Sequence, residues 1–154
     1  MSKSIQITSL LSIFILFLVS CGGNKTNESK TQNEKPTSMV TDAPSPLEQK
    51  ISAGKTIYEN VCKACHQADG KGLPKAFPPL AQSDYLQADI NRAIAGVVNG
   101  LSGEIIVNGE KFNQIMPKST LNDEEIAAVF TYVLSNFGNK GGEVQPEQVK
   151  VLRK

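Results

Sequence analysis

Two cysteines and the only histidine of this 154-residue chain lie within five positions of one another, in Cys62-Lys63-Ala64-Cys65-His66. Thiolate and imidazole groups bind zinc and iron, and a pair of thiols can also form a reversible disulfide. Three kinds of site fit this pattern: a structural zinc site, a thioredoxin-like dithiol, and the covalent attachment site of a haem.

The first two alternatives lack the sequence context that they need. A structural zinc site takes four protein ligands, usually from two pairs, and this chain has one pair, one adjacent histidine and no second cluster. A thioredoxin-like dithiol begins a helix inside a βαβ unit, whereas here the pair follows a predicted helix and the sequence has no βαβ pattern. The sequence therefore disfavours both.

The third alternative has a direct chemical reason. Two thiols at this spacing reach two vinyl groups of one porphyrin, and the next residue, His66, is then held over the iron, where a neutral imidazole is a good axial ligand. The pattern C-x-x-C-H is the signature of this attachment. We predict one haem c, bound covalently through thioethers to Cys62 and Cys65, with His66 as a ligand of the iron.

A six-coordinate iron needs a second axial ligand, and the chain has no second histidine. Methionine is the next common ligand and raises the reduction potential. Met1 and Met39 fall in segments that we predict to lie outside the folded domain, which leaves Met116. We predict that Met116 binds the iron; a lysine ligand, an open position and a purely structural role for this methionine are the alternatives.

The N-terminus is typical of an export signal. Lys3 precedes a mostly apolar stretch, residues 5–19, which is shorter than the about 20 apolar residues of a spanning helix and fits a signal-peptide core. The stretch ends in LVSC, which resembles the cleavage box of bacterial lipoproteins. We predict a signal peptide over residues 1–21 with lipidation of Cys21; an uncleaved membrane anchor and an incidental cysteine are the alternatives.

The composition divides the rest of the chain. Residues 22–46 are polar, contain three prolines and have almost no large apolar side chains, so they cannot bury enough surface to offset the entropy of ordering. We predict a disordered tether there, a folded domain over residues 47–138 and a basic, loosely ordered tail over residues 139–154. The 16 Lys+Arg against 15 Asp+Glu, with no basic stripe, argue against a nucleic-acid partner.

Apolar side chains at spacings of three and four predict helices over residues 47–61, 83–99 and 122–137. The last of these begins with Asn122 and Glu125 at the spacing of a capping box. Between the second and third helices, EIIVNGEKF predicts a β-hairpin that turns at its Asn-Gly pair, because these residues tolerate positive φ at both turn positions.

Four stretches together resemble the class I (mitochondrial-type) monohaem cytochrome c domains of bacteria: GKTIYENVCKACHQADGKG, FPPLAQSDYL, GLSGEIIVNGEKFNQIMP and LNDEEIAAVFTYVLSNFGN. They occur in that family's order and cover nearly the whole predicted domain. The third stretch is also similar to domains attached to bacterial nitrite reductases or dehydrogenases. The resemblance implies an all-α fold with three main helices around one covalent haem, and a small β-hairpin near the distal ligand loop. It makes Cys62 and Cys65 the thioether cysteines, His66 the proximal ligand and Met116 the distal ligand.

The resemblance also implies roles for residues without obvious chemistry. Pro78-Pro79-Leu80 matches the family's Pro-x-Leu, in which the proline carbonyl accepts the second N–H of the proximal histidine and the leucine packs on the porphyrin. Gly54 and Tyr58 match the contact between the first and last helices, facing Val129, Tyr132 and Val133.

Together these features predict a single-electron carrier that is not an enzyme. The carrier would be attached to a membrane by its lipid on the periplasmic side of the cell envelope. Its partners would be redox proteins such as a respiratory reductase, oxidase or dehydrogenase, with no small-molecule substrate. Two alternatives stay open: a haem enzyme or gas sensor with an open distal site, and a permanently docked electron-transfer subunit.

Overall fold

The computed structural model describes residues 43–154; the predicted signal, Cys21 and almost all of the predicted tether lie outside this range. The described chain is mostly helical with one small hairpin, which confirms the predicted fold class. No helix within residues 43–154 is long and apolar enough to cross a membrane. In chain order the elements are α1 (Pro46–Ile57), a π-helix (Tyr58–Cys62), α2 (Lys63–His66), α3 (Asp84–Ala88), α4 (Ile90–Asn99), β1 (Ile105–Val107), β2 (Glu110–Phe112), α5 (Asp123–Ser135) and α6 (Pro146–Lys150).

The first helix begins at a proline that follows a capping serine. The hydroxyl of Ser45 accepts a hydrogen bond from the backbone N–H of Glu48, whose carboxylate accepts one from the N–H of Ser45. Further along, α1 crosses α5 so closely that a Cβ at Gly54 would collide with the carbonyl of Ala128 and with the side chain of Tyr132. This crossing explains a glycine that would otherwise weaken the helix.

Regular α-helix does not continue to residue 61 as the apolar spacing predicts. From Tyr58 the chain forms one turn of π-helix, and the N–H of Lys63 donates to the carbonyl of Tyr58, five residues back. The short helix α2 then runs to His66. The cysteine pair therefore straddles the junction between π and α geometry.

The predicted second helix is in fact two helices, separated at Asp89. The backbone of Asp89 is extended, and its carboxylate accepts a hydrogen bond of 3.0 Å from the N–H of Arg92. An aspartate that caps the next helix in this way cannot also continue the previous one, because a capping residue has extended rather than helical φ and ψ angles. The core face of α4 carries the fully buried Ile94.

The hairpin turns at the predicted Asn-Gly pair. Asn108 and Gly109 have φ values of 49° and 80°, and Val107 lies opposite Glu110 in the antiparallel register. The turn is attached to the start of α3, because Asp84 and Asn108 each accept a hydrogen bond from the other's backbone N–H, at 2.7 and 3.0 Å. These two bonds keep the hairpin against the helical core.

The last long helix, α5, is buried on all sides rather than along one stripe. Its capping box of Asn122 and Glu125 is formed as predicted. Every residue from Ile126 to Leu134 is buried, although the apolar pattern predicts only one buried face. The other face is covered by the segment that follows the helix.

This C-terminal segment, residues 139–154, is packed, so the expectation of a loosely ordered tail is wrong. Val144 and Val149 are 1% and 0% exposed and join the main core. The hydroxyl of Thr131 accepts a hydrogen bond from the N–H of Val144, and the ammonium of Lys50 donates to the carbonyl of Val144. The composition of residues 139–154 does not predict this ordered packing, because the surface that buries Val144 and Val149 belongs to elements that are distant in the sequence.

Candidate functional site

A cavity of about 400 Å³ lies between the helices, the hairpin and the loop that contains Met116. Its volume is that of a typical cofactor site, and its wall is mainly apolar. The structure brings all six predicted site residues of the domain to the lining of this one cavity: Cys62, Cys65, His66, Pro78, Leu80 and Met116. The predicted lipidation site, Cys21, lies outside the described residues.

The two cysteines carry free thiols that are partly buried in the cavity wall. Burial, together with the neighbouring Cys65, raises the pKa of the Cys62 thiol to about 11. A redox-active dithiol needs the opposite shift, because the thiolate is the reactive form. The environment of Cys62 therefore argues against the dithiol alternative.

The imidazole of His66 is buried, with 9% of the residue exposed. Its Nδ1 lies 3.0 Å from the carbonyl oxygen of Pro78. Burial lowers the pKa of His66, although this hydrogen bond opposes the shift, so the environment favours the neutral ring. A neutral ring that donates from Nδ1 keeps the lone pair of Nε2 available for a metal ion.

The loop that presents Pro78 is held by backbone contacts to the residues just after the motif. The N–H of Leu80 donates to the carbonyl of Gly70 at 2.7 Å, and the N–H of Gly72 donates to the carbonyl of His66 at 3.0 Å. Gly72 has a φ of 64°, and a Cβ there would collide with the carbonyls of Phe77 and Pro78. The glycine after the motif is thus required for the approach of the Pro78 carbonyl to His66.

Met116 lies fifty positions after His66 in the sequence and is half-buried in the wall of the same cavity. Its backbone is fixed by two hydrogen bonds to Leu101, one in each direction. The neighbouring Ile115 also lines the cavity and is 75% exposed, which puts it at the mouth.

Two cationic side chains line the cavity although the sequence does not predict them as site residues. Arg92 and Lys118 line the cavity, and no Asp or Glu from residues 43–154 does so. The guanidinium of Arg92 stacks 3.8 Å from the ring centroid of Tyr85 and donates to the Tyr85 carbonyl at 3.0 Å. Nothing in the local sequence distinguishes these two basic residues from the solvated ones, because only tertiary packing aims them at the cavity.

The chemistry of this wall fits a c-type haem. The apolar surface suits a flat macrocycle, the thiols suit its two vinyl groups, and the positive charge suits its carboxylates. An imidazole and a thioether, the two common axial ligands, both line this cavity. These features define a covalent haem protein.

Comparison with known proteins identifies the family. The model of the cytochrome c family matches residues 51–137, which is more than half of the chain, and the chain belongs to that family. It therefore binds a c-type haem covalently and takes part in haem-based electron transfer.

The relatives include small cytochromes and subunits of larger complexes. The chain is 40% identical over 110 residues to cytochrome c-552 of Thermus thermophilus, covering 65% of this chain and 83% of that protein. It is 34% identical over 111 residues to the fructose dehydrogenase cytochrome subunit of Gluconobacter japonicus, covering 68% and 22%. It is 31% identical over 97 residues to subunit CcoP of the cbb3-type cytochrome c oxidase of Rubrivivax gelatinosus, covering 62% and 29%.

Proposed function

We propose that this protein is a membrane-tethered single-electron carrier in which Cys62 and Cys65 attach the haem and His66 and Met116 are the axial ligands. The observation that carries the proposal is that both thiols, the buried imidazole and the thioether line one cavity. When bound, the haem iron supplies a one-electron couple. If His66 and Met116 held the iron, the haem would exchange electrons without binding a substrate at the metal.

The other residues of the wall hold the site in shape. The Pro78 carbonyl fixes the orientation of the His66 ring and raises its basicity by accepting from Nδ1. Leu80 lines the cavity and would provide apolar packing against the macrocycle and exclude water. Arg92 and Lys118 would pair with the two haem carboxylates, with Tyr85 holding the Arg92 guanidinium in place.

The covalent attachment of the haem is tested by replacing Cys62 and Cys65 with alanine, singly and together, in the full-length chain. Each single variant would keep one thioether and still carry haem on a denaturing gel, whereas the double variant would carry none. Retention of covalent haem by the Cys62→Ala/Cys65→Ala double variant would contradict the assignment.

The axial ligands are tested by spectroscopy of the purified haem protein. A Met116 ligand predicts the weak sulfur-to-iron absorption band of the ferric form and no binding of carbon monoxide by the ferrous form. An absent band together with ready carbon monoxide uptake would favour the haem enzyme or gas sensor with an open distal site.

The names of two relatives favour a second arrangement, a permanently docked subunit. Both the Gluconobacter japonicus and the Rubrivivax gelatinosus relatives are named as subunits of redox complexes. Copurification of this chain with one oxidoreductase in gentle detergent, at fixed stoichiometry, would support docking. Recovery of the chain alone would support a mobile carrier.

The proposed tether follows from the N-terminal sequence. A signal over residues 1–21, lipidation of Cys21 and a polar linker over residues 22–46 would keep the domain of residues 47–138, with the C-terminal segment that packs on it, at the periplasmic face of a membrane. Such anchoring raises the local concentration of the carrier near membrane partners. Cys21→Ser should move the haem-stained protein from the membrane fraction to the soluble fraction; an unchanged distribution would contradict lipidation.

A further inference from the structure

Tyr58 contacts the haem-attachment motif at both of its ends. At the first end its carbonyl accepts the π-helical hydrogen bond from the N–H of Lys63. At the other end its hydroxyl donates to the carbonyl of Gln67 at 2.7 Å, and lies 3.5 Å from the carbonyl of His66. One residue thus brackets Cys65 and His66, although it belongs to the preceding turn of helix.

The backbone of Gln67 is in a conformation that favours glycine. Its φ is 64° and its ψ is 165°, a region that residues with a side chain rarely occupy. Strained backbone of this kind persists only where surrounding contacts determine it, and it clusters at functional sites. The Gln67 carbonyl accepts the hydroxyl of Tyr58 at 2.7 Å and a longer bond of 3.3 Å from the N–H of Gly70. The shorter of the two comes from Tyr58.

The Tyr58 side chain is itself held rigidly. The residue is 1% exposed, and its ring lies 5.5 Å from that of Tyr132 and 5.1 Å from that of Phe137. Burial raises the pKa of Tyr58, so its hydroxyl remains a protonated donor throughout the physiological range. A donor fixed in position can restrict the carbonyl that it contacts.

His66 directly precedes Gln67, whose carbonyl belongs to the next peptide along the chain, Gln67–Ala68. Its ring contacts the Pro78 carbonyl through Nδ1, and its own carbonyl accepts from Gly72. If the Gln67 carbonyl were released, the strained φ and ψ of Gln67 could relax, and this would rotate the adjoining His66–Gln67 peptide and the backbone from which the imidazole projects. We propose that Tyr58 is the positioning residue of His66: its hydroxyl holds the Gln67 carbonyl and thereby keeps Nδ1 of His66 against Pro78.

This role rests on the proposed function, because it matters to electron transfer only if His66 binds the iron. Loosening the Nδ1–H···O contact makes the imidazole a weaker electron donor, which stabilises the ferric iron less. Loss of the Tyr58 hydroxyl should therefore make the midpoint potential more positive and move the hyperfine-shifted NMR signals of the His66 ring.

The test uses the haem-loaded, full-length protein with Tyr58→Phe, which removes the hydroxyl and keeps the ring. Tyr132→Phe is the matched control, since it also removes a hydroxyl from this aromatic cluster. The hydroxyl that donates to the Gln67 carbonyl is that of Tyr58, so the control leaves this hydrogen bond in place. Gln67→Gly relieves the strained backbone at that position. Combined with Tyr58→Phe, it completes a double-mutant cycle.

We expect Tyr58→Phe to shift the potential by roughly twice the shift of Tyr132→Phe or more, and to move the His66 signals, while Gln67→Gly shrinks both effects. Equal shifts in the two phenylalanine variants would overturn the positioning role. So would an effect of Tyr58→Phe that is the same with and without Gln67→Gly. Absence of hyperfine-shifted His66 signals in the wild-type protein would instead overturn the proposed ligand itself, and this inference with it.

Discussion

Leu101 and Met116 are joined by two backbone hydrogen bonds of 2.9 Å, in which the N–H of each residue donates to the carbonyl of the other. Leu101 follows the end of α4, so this pair ties the methionine loop to a core helix. The loop that supplies the proposed distal ligand is therefore preorganised by backbone bonds, and a change of the Met116 side chain should act on the iron more than on the fold.

The first prediction concerns that side chain. Met116→Leu keeps the apolar volume and removes the sulfur, so the reduction potential should fall, on the order of 0.1–0.3 V within the about 0.8 V range that axial ligands span. The ferrous form should also gain carbon monoxide binding. Potentiometric titration and absorption spectroscopy measure both effects.

The matched control is the same substitution at Met39, which lies outside residues 43–154 and in the predicted tether. It should leave the potential and the spectrum unchanged. If Met116→Leu behaves like Met39→Leu, Met116 is not the distal ligand.

The second prediction concerns Gly72, whose Cβ would collide with the Phe77 and Pro78 carbonyls. Gly72→Ala should displace the Pro78 carbonyl from His66 and lower the free energy of unfolding by about 2–4 kcal/mol, from backbone strain and lost contacts together. Denaturant titration of the haem protein measures the loss.

Gly109→Ala separates the collision from the strain of positive φ. Gly109 has a similar φ of 80°, but a Cβ there would meet no atom within 4 Å. It should lose only about 1 kcal/mol. Equal losses at the two positions would show that the contact with Pro78 contributes nothing.

The third prediction concerns the attachment of the C-terminal segment to α5. Thr131→Val keeps the shape of the side chain but leaves the buried N–H of Val144 without its acceptor, which should cost about 1–3 kcal/mol of stability. The change should appear in the midpoint of denaturation with little effect on the potential.

Thr56→Val is a closely matched control. In both threonines the hydroxyl donates to the carbonyl four residues back, but Thr56 lies on the exposed side of α1. Its replacement should change stability by less than about 0.5 kcal/mol. A Thr131 variant as stable as the Thr56 variant would contradict the role of this bond.

The fourth prediction is a pH dependence of the same segment. Hydrogen bonds from Lys50 and then Gln145 lower the pKa of Glu143, and the Lys50 ammonium lies 2.7 Å from its carboxylate. Because the folded pKa is depressed, the stabilisation is complete above the unfolded value of 4.5 and disappears as the pH falls through the lower folded value. The stability difference between the wild type and Glu143→Gln should therefore shrink to zero at acid pH.

Glu59→Gln is the control, since Glu59 forms an exposed pair with Lys55 at 3.9 Å. Such a pair contributes little at any pH. Unfolding titrations from neutral to acid pH would contradict the prediction if the Glu143→Gln difference persisted below the folded pKa of Glu143.

Local features of the fold could be predicted because their causes are local. The Ser45 and Asn122 caps, the Asn-Gly turn and the three-and-four apolar spacing each depend on residues within one or two turns of the chain. The break at Asp89 could not be predicted, although its cause is also local. A capping aspartate and an ordinary polar helix residue look alike in the sequence.

The sequence by itself determined the chemistry of the site. Cys62, Cys65 and His66 are adjacent, so their spacing alone specifies the attachment of a haem, and the count of histidines and methionines then points to Met116. Only the tertiary structure decided what surrounds them. Arg92 and Lys118 reach the cavity, Tyr58 reaches Gln67 and Val144 covers α5 through contacts between segments brought together by folding, and no local pattern records such contacts.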